Sequence, residues 1–123
     1  MAQQGTKLTI CFYENPAAKQ EIKFWEGLVE DKIKSKSYIN DIWSYHLEDL
    51  DEHELVVCIP IDKVKHTQQI SEIVNKEFSL HAITGSLYYY KTLIFGKVIS
   101  KQLETVHRIT NLMELGKWKW NQQ

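Results

Sequence analysis

Residues 55–61 read Leu-Val-Val-Cys-Ile-Pro-Ile, and this apolar run decides the fold. Its side chains are apolar at consecutive positions, which is typical of a strand that is covered on both faces. Pro60 must lie near the end of the strand, because proline cannot donate a hydrogen bond to a neighbouring strand. We therefore predict a central strand here.

Three further strands are predicted around the central one. In residues 7–13, Leu8, Ile10 and Phe12 alternate with Lys7, Thr9, Cys11 and Tyr13, which is the period of a strand. Residues 39–47 favour a strand through Ile39, Trp43, Tyr45 and Leu47. Residues 87–95 are rich in aromatic and β-branched types and predict the last strand.

Three helices are predicted between and after these strands. Asn15-Pro16 is typical of a helix start, and Ala18, Ile22, Trp25, Val29 and Ile33 follow at helical spacing. We expect Gly27 inside this helix to allow a close approach to the sheet. The second helix carries the stripe Ile70, Ile73, Val74 and Phe78, and a third helix follows Ser100.

The order strand, helix, strand, strand, helix, strand predicts an α+β fold of the ferredoxin-like, split βαβ type with an extra C-terminal helix. In that topology the sheet is antiparallel and both crossover helices pack on one face. The two central strands are expected to be residues 7–13 and 55–61. No linker or composition shift divides the chain, so residues 1–123 are expected to form a single domain.

The face of the sheet opposite the helices is expected to be open and apolar, and large exposed apolar patches usually mark an interface. A second copy of the chain is the favoured cover, because isologous dimers are the commonest oligomers. The alternatives are the last helix with Trp118 and Trp120, another protein, or a small ligand. The expected interface residues are Cys11, Tyr13, Trp43, Tyr45, Cys58, Tyr88 and Tyr90.

No catalytic or ligand-binding signature is present, so no catalytic residue, metal site or cofactor is predicted. Cys11 and Cys58 fall on adjacent strands, and we interpret them as buried small apolar side chains rather than as a redox pair. His46 and His53 flank an acidic segment and suggest a metal site with Glu48, Asp49 or Asp51, but a solvated loop is the favoured interpretation. A pairing of Cys58 with His46 is considered and not favoured.

The acidic segment places five carboxylates within seven residues: Glu48, Asp49, Asp51, Glu52 and Glu54. One interpretation is a docking loop for a basic partner, since complementary charge speeds encounter and sets specificity. The favoured interpretation is a polar hairpin that keeps a sheet edge soluble.

Bulk composition excludes several classes of partner. The net charge is -1, which gives no general affinity for nucleic acid or anionic lipid. No apolar run approaches the roughly 20 residues of a membrane span. Two cysteines and the lack of a signal peptide indicate a cytoplasmic protein with reduced thiols.

The favoured function is that of a small non-catalytic binding protein, which forms a homodimer or binds another protein through its open sheet face. Two alternatives remain. One is an inhibitor or immunity-type protein that presents segment 48–54 to a basic partner. The other is a cofactor-free enzyme or small-ligand sensor with a pocket against the sheet.

Overall fold

The structure is a computed structural model that describes residues 5–14, 18–96 and 100–114. The helix start at Asn15-Pro16 and the residues Trp118 and Trp120 lie outside this part. The elements run β1 (Gly5–Tyr13), α1 (Lys19–Leu28), β2 (Ile33–Ile39), β3 (Ile42–Asp49), β4 (Glu52–Pro60), α2 (Thr67–Leu80), β5 (Ser86–Phe95) and α3 (Ser100–Glu114). Short 3-10 turns follow α1 and β4.

The five strands form one mixed sheet in the order β2-β3-β4-β1-β5. β1 runs parallel to both of its neighbours, β4 and β5, whereas β2, β3 and β4 pair antiparallel. Leu8 lies opposite Leu55, and Cys11 lies opposite Cys58. The two predicted central strands are therefore adjacent, and the cysteines are neighbours as expected.

Helices cover both faces of the sheet. The chain passes from β1 to β4 in one direction along the sheet and from β4 to β5 in the other. A right-handed crossover that moves one way along the sheet places its helix on one face. A right-handed crossover that moves the other way places its helix on the opposite face. Accordingly, Ile22 of α1 packs with Cys11 and Val56, while α2 and α3 cover the face that carries Leu8 and Val57.

The expected ferredoxin-like topology is not confirmed, and the expectation of helices on a single face is wrong. The cause is a hairpin that the sequence interpretation missed. Asn40 and Asp41 both have positive φ, 54° and 64°, which is the conformation of the two-residue turn that favours the twist of a hairpin. The extra strand β2 reverses the direction in which the chain enters β4, so β4 runs parallel to β1.

The boundary of the first helix also differs from the prediction. α1 ends at Leu28, and Ile33, which was assigned to the helical stripe, begins β2. Gly27 does not approach the sheet, because a Cβ atom built at this position meets no atom of the described residues within 4 Å. In the described residues, no helix combines the length and the apolar character needed to cross a bilayer.

We expect replacement of Leu50 by glycine to stabilise the protein. Leu50 lies in the turn between β3 and β4 and has φ 58°, a left-handed conformation that strains a residue with a side chain. Its side chain is 89% exposed, so burial does not compensate for that strain. Relief of that strain is worth about 1–2 kcal/mol, and the greater freedom of glycine in the unfolded chain offsets about half of it. Urea unfolding should show a gain of roughly 0.5–1 kcal/mol.

Leu80→Gly serves as the matched control, because Leu80 is also an exposed leucine but lies in a helix. This variant should lose about 1 kcal/mol. A loss of stability in Leu50→Gly would contradict the strain at the β3–β4 turn.

Candidate functional site

The expected interface residues do not form an open surface. Cys11, Tyr13, Trp43, Tyr45 and Cys58 are all buried in the layer between the sheet and α1. The reason is again the opposite-side crossover, which places a helix of the same chain over them. Apolar residues on both sides of the sheet therefore reflect two cores within one chain.

Tyr88 and Tyr90 lie on the edge strand β5 and are less buried than the other five predicted residues. Tyr90 occupies a β-bulge, since Leu8 pairs with Tyr89 and Thr9 pairs with Lys91. The Lys7 ammonium lies 4.9 Å from the centre of the Tyr90 ring. These two tyrosines border the α1-side layer and do not share its core.

Cys11 and Cys58 are free thiols that are almost completely buried. A hydrogen bond to Cys58 and burial both raise the pKa of the Cys11 thiol well above its usual value. A neutral, inaccessible thiol is a poor nucleophile and a poor metal ligand. Cys58 also faces α1 whereas His46 faces α2, so a Cys58–His46 pair does not form.

The outward surface of α1 carries two strongly exposed apolar side chains. Phe24 and Leu28 are 71% and 66% exposed and lie one turn apart, with Gly27 beside them. Side chains four residues apart on a helix adjoin one another. They form a small apolar patch, which we call the α1 patch (Phe24, Gly27 and Leu28).

A groove of about 790 Å³ runs between α1 and the β2–β3 hairpin. Its aromatic wall contains Tyr38, Trp43 and Tyr45, and the rings of Tyr38 and Trp43 meet edge to face at 4.9 Å. The charged side chains that line it are Lys19, Lys23, Glu26, Glu30 and Lys36. The groove therefore offers apolar area together with both signs of charge.

Trp43 carries a buried hydrogen-bond donor that lacks an acceptor. Its indole N–H is the only buried side-chain polar atom of the described residues without a partner. A buried unsatisfied donor costs about 1–3 kcal/mol, and such groups in native proteins call for an explanation. An acceptor brought into the groove by a bound molecule is one explanation.

The acidic segment is extensively paired within the chain. Glu48 contacts Lys34 at 2.9 Å, Asp49 contacts Lys32 at 3.6 Å and Glu52 contacts Lys7 at 3.5 Å. Thr9 donates a hydrogen bond to Glu54. The carboxylates also divide between the two faces of the sheet, which reduces the negative field that the hairpin presents to any one partner.

A buried polar network joins the hairpin to the end of α2. Ser44 donates to the buried carboxylate of Glu77, and His81 Nε2 lies 2.7 Å from the Ser44 hydroxyl oxygen. Ser35 contacts His81 Nδ1 at 2.6 Å. Because Ser44 gives its proton to Glu77, it accepts from His81 Nε2, and in the neutral imidazole Nδ1 then accepts from Ser35. Ser44 is completely buried, so this network is structural.

His46 and His53 meet beside this network. His46 Nε2 and His53 Nδ1 are 2.9 Å apart, and the rings stack with centres 5.2 Å apart. The pair lines a pocket of about 370 Å³ together with Thr6, Lys34 and the loop after α2. Among the described residues, no three metal-ligating side chains lie close enough together to enclose an ion.

The sequence interpretation found part of these sites and missed the rest. Strand alternation predicted Trp43 and Tyr45 as interface residues, but the face that carries them was expected to be open. His46 and His53 flank the predicted polar hairpin, and the antiparallel pairing of β3 with β4 brings their rings into contact. No local signal connects His81 or Glu77 to Ser44, because β3 and the end of α2 are more than 30 residues apart in the sequence.

No protein-family model matches this chain, and neither a curated protein nor a solved structure shows significant similarity to it.

We expect the protein to lose stability on acidification through its buried histidines. Burial lowers the pKa of His81, against the opposing effect of Glu77, and burial followed by the proximity of His53 lowers the pKa of His46. Their contribution to stability is therefore complete above the unfolded value of about 6.5 and is lost as the pH falls below it. The free energy of unfolding should be lower at about pH 5.5 than at about pH 7.5.

The His81→Gln variant should show a smaller decrease between the two pH values, and His107→Gln, a change on the exposed surface of α3, should keep the wild-type decrease. An unchanged decrease in His81→Gln would show that other groups cause the acid sensitivity.

We also expect both thiols to be unreactive in the folded protein. The thiol reagent DTNB should modify neither cysteine without denaturant and should modify both after unfolding, because the native thiols are buried. Rapid modification of the native protein would contradict the packing of Cys11 against Cys58.

Proposed function

We propose that this chain is a small non-catalytic binding protein that forms a homodimer through the α1 patch and the adjoining groove. The observation that carries the proposal is the glycine at position 27. Gly27 lies in the last turn of α1, where glycine costs up to about 1 kcal/mol relative to alanine, and no described residue lies close enough to require it. A second backbone that packs closely against α1 would require it.

The charges along α1 favour a second copy as the partner. Lys19 and Lys23 lie in the amino-terminal half of α1, and Glu30 and Asp31 follow its carboxyl end. Two α1 helices that pack antiparallel about a twofold axis therefore place basic residues near acidic ones. The apolar side chains of each patch would find the partner's groove beside them.

The size of the groove supports this arrangement. A single short helix buries less than the roughly 800 Å² per partner of a standard interface. The groove extends the accessible surface to Tyr38, which is 52% exposed and lies beyond α1. Aromatic residues of this kind are enriched at interface centres.

A second candidate is the binding of a small ligand in the same groove. The unsatisfied indole N–H of Trp43 favours it, because a ligand with an acceptor oxygen would satisfy that donor. The lysines of the groove favour an anionic ligand. An inhibitor role for segment 48–54 has less support, since four of its five carboxylates already have partners in the chain.

We also propose a cytoplasmic location. Cys11 and Cys58 lie directly opposite each other on neighbouring strands, and both are free thiols. Free thiols of this kind persist in reducing compartments.

The dimer is tested by sedimentation velocity over a range of protein concentrations. Wild type should shift from monomer to dimer, and Phe24→Ser/Leu28→Ser should remain a monomer. Its stability should change by less than about 0.5 kcal/mol, because both side chains are exposed in the monomer. Leu80→Ser removes an exposed leucine elsewhere and should dimerise like wild type.

Gly27→Ala gives the sharper test, because it should move two measurements in opposite directions. The monomer should gain about 1 kcal/mol, since the added methyl meets open space. Dimerisation should weaken by roughly tenfold or more, which corresponds to about 1.4 kcal/mol. A wild type that stays monomeric at every concentration, or a Gly27→Ala dimer as tight as wild type, would refute the proposal.

A further inference from the structure

Three ligating side chains share one face of the β3–β4 hairpin, outside the proposed dimer surface. His46 and Glu48 are two residues apart on β3, so both point toward the α2 face. His53 on β4 lies directly opposite Glu48 in the antiparallel register. The strand period and the register therefore place two imidazoles and one carboxylate on the same face of the hairpin.

The separation of the two imidazoles suits a shared ion. Metal–imidazole bonds measure about 2.0–2.1 Å, so two nitrogens that subtend about 90° at one ion lie about 2.9 Å apart. His46 Nε2 and His53 Nδ1 are 2.9 Å apart. In the described structure this distance is a hydrogen bond, so an ion shared by the two nitrogens requires tautomerisation of the donor ring and a tilt of both rings that turns their lone pairs toward it.

Lys34 holds the carboxylate in the absence of an ion. Its ammonium lies 2.9 Å from Glu48 Oε1, and it lines the same pocket as the two histidines. A lysine ammonium and a metal cation compete for one carboxylate. In the described residues the carboxylate of Glu48 is paired with Lys34 and does not complete a group of three ligands with the imidazoles.

We propose that His46, His53 and Glu48 form a site for a divalent transition-metal ion of the Ni²⁺, Cu²⁺ or Zn²⁺ class, which displaces Lys34 from Glu48. Two imidazoles and one carboxylate are a donor set that such ions take, with open positions for water or another ligand. The adjoining pocket of about 370 Å³ has room for those further ligands. Calcium and magnesium are disfavoured, because they prefer sites made of oxygen donors alone.

The test is calorimetric titration of the full chain with Ni²⁺, in which wild type should bind one ion. His46→Gln and His53→Gln should each weaken binding by at least about tenfold, because each removes a ligand. His107→Gln removes an exposed histidine from α3 and should bind like wild type. Circular dichroism should show that each variant is folded.

Lys34→Gln provides a gain-of-affinity test that does not depend on a buried substitution. Lys34 is exposed, and its removal frees Glu48, so binding should tighten by roughly tenfold. Glu48→Gln should weaken binding and should abolish the gain when combined with Lys34→Gln. Equal affinity in wild type and both histidine variants, or weaker binding in Lys34→Gln, would overturn the site.

Electron paramagnetic resonance of the Cu²⁺ complex gives an independent readout of the ligands. Wild type should show hyperfine coupling to two imidazole nitrogens, and His53→Gln should show coupling to one. Coupling that is the same in both proteins would place the ion elsewhere and overturn the assignment.

Discussion

The parallel pairing of β1 with β4 is the constraint on which the rest of the structure depends. Since β1, β4 and β5 all run in one direction, each connection between them must cross over the sheet, and such crossovers are right-handed. One moves toward β4 and the other back past β1 to β5, so α1 and α2 lie on opposite faces. Central strands that are buried on both faces then need apolar residues at every position, as residues 55–59 have.

Much of the core was predictable from sequence because its signals are local. The central strand, β1, β5 and the stripe of α2 follow from side-chain periodicity, and the opposition of Cys11 and Cys58 follows from adjacency of the two strands. The β2–β3 hairpin was not predictable in the same way. Asn40-Asp41 lacks the glycine that usually marks such a turn, and Ile33 continues the helical spacing of Val29 by coincidence. The prediction lacked the strand β2. Without β2, β4 is expected to run antiparallel to β1, and α1 is expected on the wrong face of the sheet.

The same error explains what could not be predicted of the sites. An apolar second face suggested a partner only while no helix was available to cover it. Because α1 covers that face, the surface that suggests a partner is instead the exposed side of α1, where Phe24 and Leu28 lie beside Gly27. Sequence alone gave Gly27 a role against the sheet, because a glycine within a helical stripe does not reveal which neighbour requires it.

Both proposed sites use β3, which belongs to the β2–β3 hairpin beside the parallel strands of the core. On its α1 side the hairpin supplies Tyr38 and Trp43 to the groove, and on its α2 side it supplies Ser44 and His46 in place of apolar residues. Buried polar groups are stable only when they are hydrogen-bonded, and a satisfied network rigidifies the elements that it joins. The bonds from Ser44 to Glu77 and His81 therefore fix the hairpin to α2. The proposed interface on one face and the proposed ion site on the other would thus share a rigid support, where positioning is more precise than on a loop.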